Sequence, residues 1–357
     1  MSTATIIQTL DELDQLADGW GVLSAQSGHP MHDYAWIRAA ASTFAEDGRL
    51  YVIVAGVPPN ITAVAPLVRS RNDDGCLELL GVRELYEPMD FLYATPSALA
   101  VLTDTLAKFR GRLVLNRLPA DSGVIAALGR SYRGRGIVIC QALHGCPWIP
   151  LDASWTQPEQ QLNAGRRSDL RRARRTAETL GPLTFDVVRP TPGELGRLLD
   201  EAFRVEAGSW KGRAGTALAR DSVRARFYWQ YAVAACRTGN LLVCFLRIGG
   251  RAAAMQIAII SGDRFWLLKI GFDDAFARCS PGMLLMLETV RYAASQGLQG
   301  YEFLGVDEPW TRMWTECVRP CVSLRAYSAS WHGLSGFATD VGKVARRTFA
   351  RALQRTW

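Results

Sequence analysis

The sequence predicts a mixed α/β protein made of two successive units, and three observations support this fold class. The 357 residues are enough for about two domains of ordinary size. Stretches with the apolar period of helices alternate with short apolar stretches typical of strands. After Pro147-Trp-Ile-Pro-Leu151 the composition changes to an arginine-rich helical stretch, which marks the start of the second unit.

In the first unit, apolar periodicity predicts helices followed by strands. Leucines and Trp20 recur at helical spacing near the N-terminus, and Pro58-Pro-Asn60 separates two apolar stretches as a hairpin turn would. The predicted helices cover residues 10–23, 34–44 and 97–109, and the predicted strands cover residues 50–55, 61–68, 76–80 and 112–115.

In the second unit, the turns Gly249-Gly250 and Ser261-Gly-Asp263 separate three apolar stretches, which predicts an antiparallel meander. Ser280 as N-cap, Pro281 at the first helical position and Gly297 after the last turn delimit the next helix. The predicted strands cover residues 183–188, 241–248, 252–260, 264–271 and 301–304, and the predicted helices cover residues 165–175, 194–207, 222–237, 281–296 and an amphipathic tail from residue 336.

Composition excludes several classes of protein. The longest apolar run, residues 252–260, is interrupted by Gln256 and is far shorter than the roughly 20 residues that span a bilayer. The N-terminus lacks the basic and apolar parts of a signal peptide, so we expect a cytoplasmic protein, with peripheral attachment to the inner membrane left open. The eight cysteines form no CxxC pair and have no histidine at ligand spacing, so we expect no metal site.

Arginine supplies most of the net charge of +7, and it is concentrated in residues 166–175, where six of ten residues are arginine. On a helix, Arg167, Arg171, Arg174 and Arg175 can share one side and attract phosphates. Such a side could bind a nucleotide 3′-phosphate, a tRNA arm or an acidic acyl carrier protein. The alternative is a solvated face paired with Asp169 and Glu178.

The segment around Ser280 has the features of an anion-binding helix start. Backbone N–H groups without helical partners point out of a helix N-terminus, and the helix dipole favours negative charge there. We expect donors from Ser280, Gly282, Met283 and Leu284, with added positive charge from Arg278. The alternative is an ordinary helix start that binds nothing.

The chain resembles the CelD/BcsL branch of the GNAT acyltransferase superfamily. The resemblance lies in Gly271-Phe-Asp273, Ser280-Pro-Gly-Met-Leu-Leu285 and Tyr301-Glu-Phe-Leu-Gly-Val-Asp-Glu-Pro-Trp310, with Ser209-Trp-Lys211 upstream. It implies two tandem GNAT-like domains, each with a mixed, mostly antiparallel sheet flanked by helices, as in FemX-type aminoacyl transferases. The implied domains are a degenerate one at residues 1–150, a catalytic one at residues 151–332 and a C-terminal tail helix at residues 333–357.

The resemblance also implies acyl-CoA, either acetyl-CoA or a longer thioester, as co-substrate. Pro281 and Met283 occupy positions that are small residues in the usual GNAT loop, and proline has no N–H. An aminoacyl-tRNA or an acyl carrier protein therefore remains an alternative donor. The implied donor-site residues are Ile270, Phe272, Arg278, Cys279, Ser280, Gly282, Met283 and Leu284.

GNAT-type transfer is direct attack of an amine on a thioester, which needs a route for the proton of the amine but no covalent nucleophile. The four histidines, at positions 29, 32, 144 and 332, all lie outside the middle of the second unit. We therefore expect a carboxylate or water as base, with Asp307 and Glu308 as first candidates and Glu206 as a further one. The alternative for Asp307 and Glu308 is a capped surface turn.

The acceptor pocket should lie near Glu206, which shares a helix face with Trp210 four residues on. The aromatic candidates have an alternative role as ordinary packing residues. The predicted acceptor residues are Trp210, Lys211, Asp273, Trp310 and Trp314.

The sequence thus predicts an N-acyltransferase, a monomer or weak dimer, with a small-molecule, glycan or peptide amine as acceptor. One alternative is a tRNA-dependent aminoacyl transferase acting on a peptide or cell-wall precursor. The other is a non-catalytic GNAT-like scaffold in polysaccharide biosynthesis.

Overall fold

The structure is a computed structural model that describes residues 4–25, 27–45, 48–209 and 221–354. The strands of these residues, in chain order, are β1 (Ala4–Ile7), β2 (Leu50–Val57), β3 (Asn60–Ser70), β4 (Asp73–Leu79), β5 (Leu92–Tyr93), β6 (Arg112–Pro119), β7 (Gly136–Pro150), β8 (Leu183–Val188), β9 (Leu241–Ile248), β10 (Arg251–Ser261), β11 (Arg264–Phe272), β12 (Gly300–Glu302) and β13 (Val318–Ser328).

The α-helices of the described residues alternate with these strands. They are α1 (Leu10–Asp14), α2 (Ala17–Ser24), α3 (Tyr34–Phe44), α4 (Val82–Leu85), α5 (Pro96–Leu106), α6 (Gly123–Ser131), α7 (Ala164–Glu178), α8 (Pro192–Ala207), α9 (Ser222–Arg237), α10 (Pro281–Ser295) and α11 (Trp331–Gln354). Short 3₁₀ turns cover Pro30–His32, Ala153–Thr156, Pro158–Gln161 and Asp274–Cys279. Among the described residues, no helix is long and apolar enough to cross a membrane.

The first compact unit consists of Met1–Ala25, Phe44–Leu143 and Pro320–Trp357. Its sheet has the order β1-β2-β3-β4-β6-β13, and β5 pairs with β3. All of these pairs are antiparallel except β4 with β6, which are joined through helix α5.

The second compact unit consists of Gln26–Thr43 and His144–Arg319. Its sheet has the order β8-β9-β10-β11-β12-β7, and only β11 and β12 are parallel. The second unit therefore repeats the strand order of the first: three antiparallel pairs, a parallel pair and a final antiparallel pair. The predicted fold class, a mixed α/β fold with mostly antiparallel strands flanked by helices, is confirmed.

The compact units divide the chain differently from the predicted domains. Residues 26–43, expected in the first domain, belong to the second unit, and the tail from Pro320 belongs to the first. The contacts responsible are local to each unit: Trp36 of α3 packs edge-on against Phe227 of α9, and Phe337 packs edge-on against Tyr327 of β13. The functional boundaries at residues 150 and 332 remain predictions.

A bulge in β11 determines which side chains face each side of the second sheet. Ile257 of β10 pairs with Lys269 and Ala258 pairs with Leu267, so Leu268 is one residue in excess. Phe265 and Leu267 pack in the hydrophobic cluster with α7 and α10. Because the bulge shifts the alternation by one residue, Trp266 and Lys269 share the opposite face, toward α8 and α9.

Several predicted elements need correction. The helix expected over residues 10–23 is interrupted and forms α1 and α2, and the strand expected over residues 301–304 ends at Glu302. The sequence patterns predicted no element for β1, α4, β5, α6, β7 or β13. Gly145 and Pro147 within β7 and Pro320 within β13, together with irregular burial, hide the period of two by which strands are found.

Candidate active site

The parallel strands β11 and β12 separate beside the start of α10. Their pairing runs from Arg264 with Gly300 to Trp266 with Glu302 and ends there, while β11 continues to Phe272. The chain after Glu302 turns away through Leu304 and Gly305, whose φ angles of 59° and 53° are left-handed. Such an angle is rare for leucine, so the turn is under backbone strain. The result is a gap along one edge of β11.

The turn after β11 leads into α10 through a second strained residue. Asp273 accepts a hydrogen bond from the N–H of Ala275 at 2.9 Å and so begins the 3₁₀ turn Asp274–Cys279. Ser280 follows with a left-handed φ of 45°, and its side chain makes no capping hydrogen bond. Ser280 is therefore the N-cap residue, as predicted, but its hydroxyl does not cap the helix, because the left-handed backbone does not present it to the first turn.

Most of the backbone N–H groups expected to bind an anion at this helix start already donate hydrogen bonds within the protein. The N–H of Ser280 donates to Ala277 O at 3.0 Å, and those of Met283 and Leu284 donate to Ser280 O at 3.0 and 3.2 Å. Among the described residues only the Gly282 N–H of the four has no hydrogen-bond partner. A Cβ at Gly282 would meet only Phe272 Cδ1 at 3.8 Å, so no atom crowds the backbone at the Gly282 Cα. Of the four backbone N–H groups expected to be free for an anion, only that of Gly282 is free among the described residues.

The other expected donor-site residues fall into two groups. Arg278 and Ser280 are exposed, whereas Cys279 and Leu284 are buried, and burial raises the pKa of the Cys279 thiol. Ile270, Phe272 and Met283 are half-buried and pack against the hydrophobic cluster of α7 and α10. Positive charge and the free N–H therefore lie at the surface of the turn, with apolar side chains below.

On the opposite face of β11, Glu206 and Lys269 form a buried ion pair. Glu206 ends the buried face of α8 and is fully buried, and its Oε1 lies 3.5 Å from Lys269 Nζ. The Lys269 ammonium also lies 5.2 Å from the ring centre of Tyr228 on α9. The close approach of α8 requires a glycine, because a Cβ on Gly271 would lie only 2.9 Å from Glu206 Cα.

Asp307 and Glu308 occupy a hydrogen-bonded turn. Both oxygens of Asp307 accept hydrogen bonds from Arg312 at 2.9–3.0 Å, and this partner lowers the pKa of the Asp307 carboxyl. Glu308 is exposed and accepts a hydrogen bond from Trp310 Nε1 at 2.6 Å. Since a general base works best with a pKa near the working pH, these contacts favour the capped-turn interpretation.

The remaining expected acceptor residues have structural contacts or lie outside the described residues. Asp273 is half-buried and lies 3.5 Å from Arg251 in addition to capping its turn. Trp310 packs edge-on against Phe303, and Trp314 is buried in the hydrophobic cluster. Trp210 and Lys211 lie outside the described residues.

Sequence analysis missed the segment from His29 to Asp33, which belongs to the second unit. The His29 ring lies 4.8 Å from the His32 ring and 4.5 Å from the indole of Trp266 on β11. Burial lowers the pKa of His29 well below its usual range and that of His32 to about 4, although both rings are only half-buried. His29 and His32 are distant in sequence from the middle of the second unit, and the structure brings them to its sheet because residues 26–43 belong to this unit.

Asp33 is the carboxylate of this segment. Among the described residues its side chain has no hydrogen bond or ion pair, and burial raises its pKa from 3.8 to about 6. Its charge raises the pKa of Tyr231 on α9, after the larger effect of burial. The sequence signal was the cluster His29-Pro-Met-His-Asp33 directly before a helix.

A buried carboxylate with two arginine partners lies next to the histidines. Glu302 is 1% exposed and accepts hydrogen bonds from Arg264 at 2.7 Å and from Arg319 at 2.8–3.2 Å. Both guanidinium groups also lie over the ring of Trp148, at 5.3 and 3.8 Å from its centre. The cluster fixes the end of β12 where the gap begins.

Comparisons with known proteins agree with this geometry. Residues 164–312 match the acetyltransferase (GNAT) domain family. No curated protein sequence matches the chain. This part of the second unit is therefore similar to GNAT-type acetyltransferase domains, and the assignment to the CelD/BcsL branch remains a prediction.

Three solved structures resemble the whole chain in fold. One is named as the C-terminal domain of a lysylphosphatidylglycerol synthetase from Agrobacterium fabrum (TM-score 0.56, 12% identity, 93% of this chain and 97% of that one). The second is L-PGS from Bacillus licheniformis, with a TM-score of 0.53 and 10% identity over 93% of this chain and 97% of that one. The third is FemX, with a TM-score of 0.55 and 12% identity over 91% of this chain and 97% of that one. At these identities the likeness concerns the fold alone.

Proposed function

We propose that the protein is an N-acyltransferase that moves an acyl group from acyl-CoA, either acetyl-CoA or a longer thioester, to an amine. The observation that carries this proposal is the separation of β11 from β12 beside the free N–H of Gly282. An extended thioester arm fits such a gap, because the open edge of a strand offers backbone N–H and C=O groups to an added chain.

The donor's phosphates would lie at the start of α10. This helix has fifteen residues, so its N-terminal dipole is fully developed, and Arg278 is exposed beside it. Because no atom crowds the backbone at the Gly282 Cα, a phosphate oxygen can approach it closely. Binding through one N–H, one guanidinium and the dipole supports a modest affinity for CoA.

The acyl transfer would take place where β11 and β12 separate, beyond Trp266 and Glu302. The amine nitrogen attacks the thioester carbonyl carbon, a C–N bond forms, the C–S bond breaks and the thiol leaves. Backbone N–H groups along the open edge of β11 can donate to the developing oxyanion. Because the amine attacks directly, the protein has to position both reactants and accept a proton, and needs no nucleophile of its own.

The donor site is tested by a pair of matched glycines. Helices α8 and α10 both begin with Pro-Gly, at Pro192-Gly193 and Pro281-Gly282, and neither glycine has a crowded Cβ position. In calorimetric titration with CoA we expect Gly282→Val to bind at least ten times more weakly than wild type. We expect Gly193→Val to bind as wild type does. Absence of CoA and acetyl-CoA binding by the wild-type protein would overturn the proposal.

The exposed arginines of α7 favour tRNA-dependent aminoacyl transfer to a peptide or cell-wall precursor as a second candidate. Arg166, Arg171 and Arg175 are exposed and have no ion pair among the described residues. Helix α7 packs against α10 and the turn before it. An anionic carrier larger than CoA could bridge these charges and the start of α10.

Ribonuclease treatment distinguishes the two donors. The second candidate is favoured if the protein forms product from a charged-tRNA mixture, if ribonuclease treatment stops this reaction, and if Arg171→Glu lowers its rate at least tenfold. Product formed from acetyl-CoA and unaffected by ribonuclease would favour the first. If the protein forms product from neither donor, the non-catalytic scaffold is the interpretation that remains.

A further inference from the structure

We propose that helix α11 is a docking surface for an anionic lipid bilayer, with the helix axis parallel to the membrane surface. The inference is independent of the proposed function, because it concerns the first compact unit and needs neither CoA nor an amine. Three observations carry it. One face of α11 is fixed to its own unit, another face exposes apolar side chains, and this segment of the chain has an excess of basic residues.

The first observation is that one face of α11 is bonded to the first sheet. Asp340 is buried and accepts hydrogen bonds from Arg112 at 2.9 Å and from Arg325 at 2.8 Å. It also accepts a hydrogen bond from the Tyr327 hydroxyl at 2.9 Å. Phe337, three residues before Asp340, packs edge-on against the Tyr327 ring. Residues three apart share a side of a helix, so this docked face determines how the helix is oriented on its unit.

Two glycines bring the docked face close to the sheet. A Cβ at Gly333 would lie 2.0 Å from the backbone oxygen of Ser328, and a Cβ at Gly336 would lie 3.0 Å from Arg112 Cδ. Gly333, Gly336 and Asp340 follow one another at intervals of three and four residues, which is the repeat of one helix face. Hydrogen bonds, a ring contact and close backbone packing therefore all lie on the same side of α11.

The second observation is that a different side of α11 exposes apolar side chains. Trp331 is 80% exposed, Leu334 is 53% exposed and Val341 is 50% exposed, and Ala338 between them is exposed too. These four residues form the apolar stripe. Their intervals of three, four and three residues place them in one row, roughly 130° around the helix axis from the docked face at 100° per residue. Single exposed apolar residues are ordinary, but a row of them along one helix marks an interaction surface.

The third observation is the charge of this segment. Asp340 is the one acidic residue among residues 331–357, and its carboxylate is already compensated by two arginines of the same unit. The lysine and arginine residues of the segment are Lys343, Arg346, Arg347, Arg351 and Arg355. An apolar stripe together with a surplus of basic residues is typical of helices that lie in the interface between lipid and water. Tryptophan, the most exposed residue of the stripe, favours that interface.

The charge favours a lipid surface over a second copy of this chain. Two copies joined through the apolar stripe would bring two positively charged segments together, and like charges that face each other oppose association. An anionic bilayer attracts the same basic residues and receives apolar side chains just below its headgroups. One surface therefore satisfies both properties of the segment.

The test measures binding of the full chain to vesicles of phosphatidylcholine with about 30% phosphatidylglycerol, with phosphatidylcholine vesicles as reference. The fraction of protein that floats with the vesicles in a density gradient gives the partition coefficient. We expect partitioning into the anionic vesicles to be at least tenfold stronger, because each basic residue near an anionic surface adds to binding. Raising NaCl from about 50 to about 500 mM should lower it at least tenfold, because salt screens this attraction.

Two variants of α11 separate the apolar stripe from the charge. Leu334→Glu and Thr339→Glu each add one negative charge at an exposed position of the same helix, but only Leu334 lies in the stripe. We expect Leu334→Glu to lower partitioning at least tenfold more than Thr339→Glu does. Trp331→Ser, which leaves the charge unchanged, should lower it at least threefold and replaces Leu334→Glu if that variant does not fold. Thermal unfolding checks that the variants are as stable as wild type, as expected for exposed positions.

Equal losses in Leu334→Glu and Thr339→Glu would show that the apolar stripe does not contact lipid, and would overturn the inference. Failure of the wild-type protein to float with anionic vesicles, or equal partitioning into neutral ones, would overturn it too. A lipid-free dimer that Leu334→Glu converts to a monomer in sedimentation velocity would show that a second copy covers the stripe instead. None of these measurements uses CoA or an amine, so the proposed function is tested separately.

Discussion

Lys269 and Glu206 lie 3.5 Å apart, with the carboxylate fully buried at the end of α8 and the ammonium on β11. This pair joins the helix to the strand that borders the gap. Burial removes the carboxylate from water, so its charge depends on nearby partners for compensation. The pair therefore holds the C-terminal end of α8 against β11.

Replacing Lys269 with methionine should destabilise the protein by about 3 kcal/mol, because the buried Glu206 carboxylate would lose the attraction of the Lys269 ammonium. The double variant with Glu206→Gln should recover most of that loss. Urea unfolding measures the free energy of unfolding of the single and the double variant. Asp169→Asn is the control, since Asp169 and Arg172 form an exposed pair at 2.9 Å and should contribute less than about 0.5 kcal/mol. Equal losses in Lys269→Met and Asp169→Asn would contradict the burial argument.

Gly271→Ala should destabilise the second unit by about 1–3 kcal/mol, because the new Cβ would lie 2.9 Å from Glu206 Cα and 3.0 Å from its Cβ. The contact is with helix backbone, which a side-chain rotation cannot relieve. Gly193→Ala, where no atom lies within 4 Å of the new Cβ, should be neutral or slightly stabilising. A chemical-denaturation series with both variants checks the difference, and a neutral Gly271→Ala would show that α8 can shift.

Stability should depend on pH through His32. Its folded pKa of about 4 lies below the usual 6.5, so the unfolded chain binds more protons between these values, and stability falls as the pH falls from 6.5 to 4. The loss is at most about 3 kcal/mol and smaller where solvent reaches the ring. His32→Gln should flatten this part of the stability curve, whereas His332→Gln, at an exposed position, should not. Identical curves for His32→Gln and wild type would contradict the prediction.

Asp33 and Asp90 contribute to the same curve with opposite sign. Burial raises both pKa values from 3.8 to about 6, so the folded state binds more protons in that range and acidification stabilises it. We expect the stability of Asp90→Asn, measured relative to wild type, to increase as the pH rises from 4 to 6. A constant difference across that range would show that Asp90 titrates normally.

Asp307→Asn should leave amine acetylation within about threefold of wild type and leave its pH profile unchanged. Arg312 already donates hydrogen bonds to this carboxylate and lowers its pKa, so the substitution frees an exposed arginine and removes no group suited to accept a proton near neutral pH. Steady-state rates at several pH values measure this. A loss of 100-fold with a shifted acidic limb would instead make Asp307 the base.

Local sequence signals identified most of the second sheet. The strands Leu183–Val188 and Leu241–Ile248 and the helix Ser222–Arg237 have the predicted bounds, because apolar period, turn glycines and end residues act within a few positions. The contacts of the candidate site, in contrast, join residues that are far apart in the sequence. Nothing near Trp266 in sequence shows that His29 contacts it, and no capping preference shows that Ser280 is left-handed.

The extra residue at Leu268 has a consequence for how this strand can change over time. If Leu268 stayed and the bulge were lost, strict alternation would turn the Lys269 ammonium toward the hydrophobic cluster and carry Ile270 to the opposite side. Deletion of Leu268 would instead make Leu267 and Lys269 neighbours in a regular ladder and leave both on their present faces. A β11 shorter by this one residue should therefore keep its polar and apolar sides, so strand length at this point can vary among descendants of this chain.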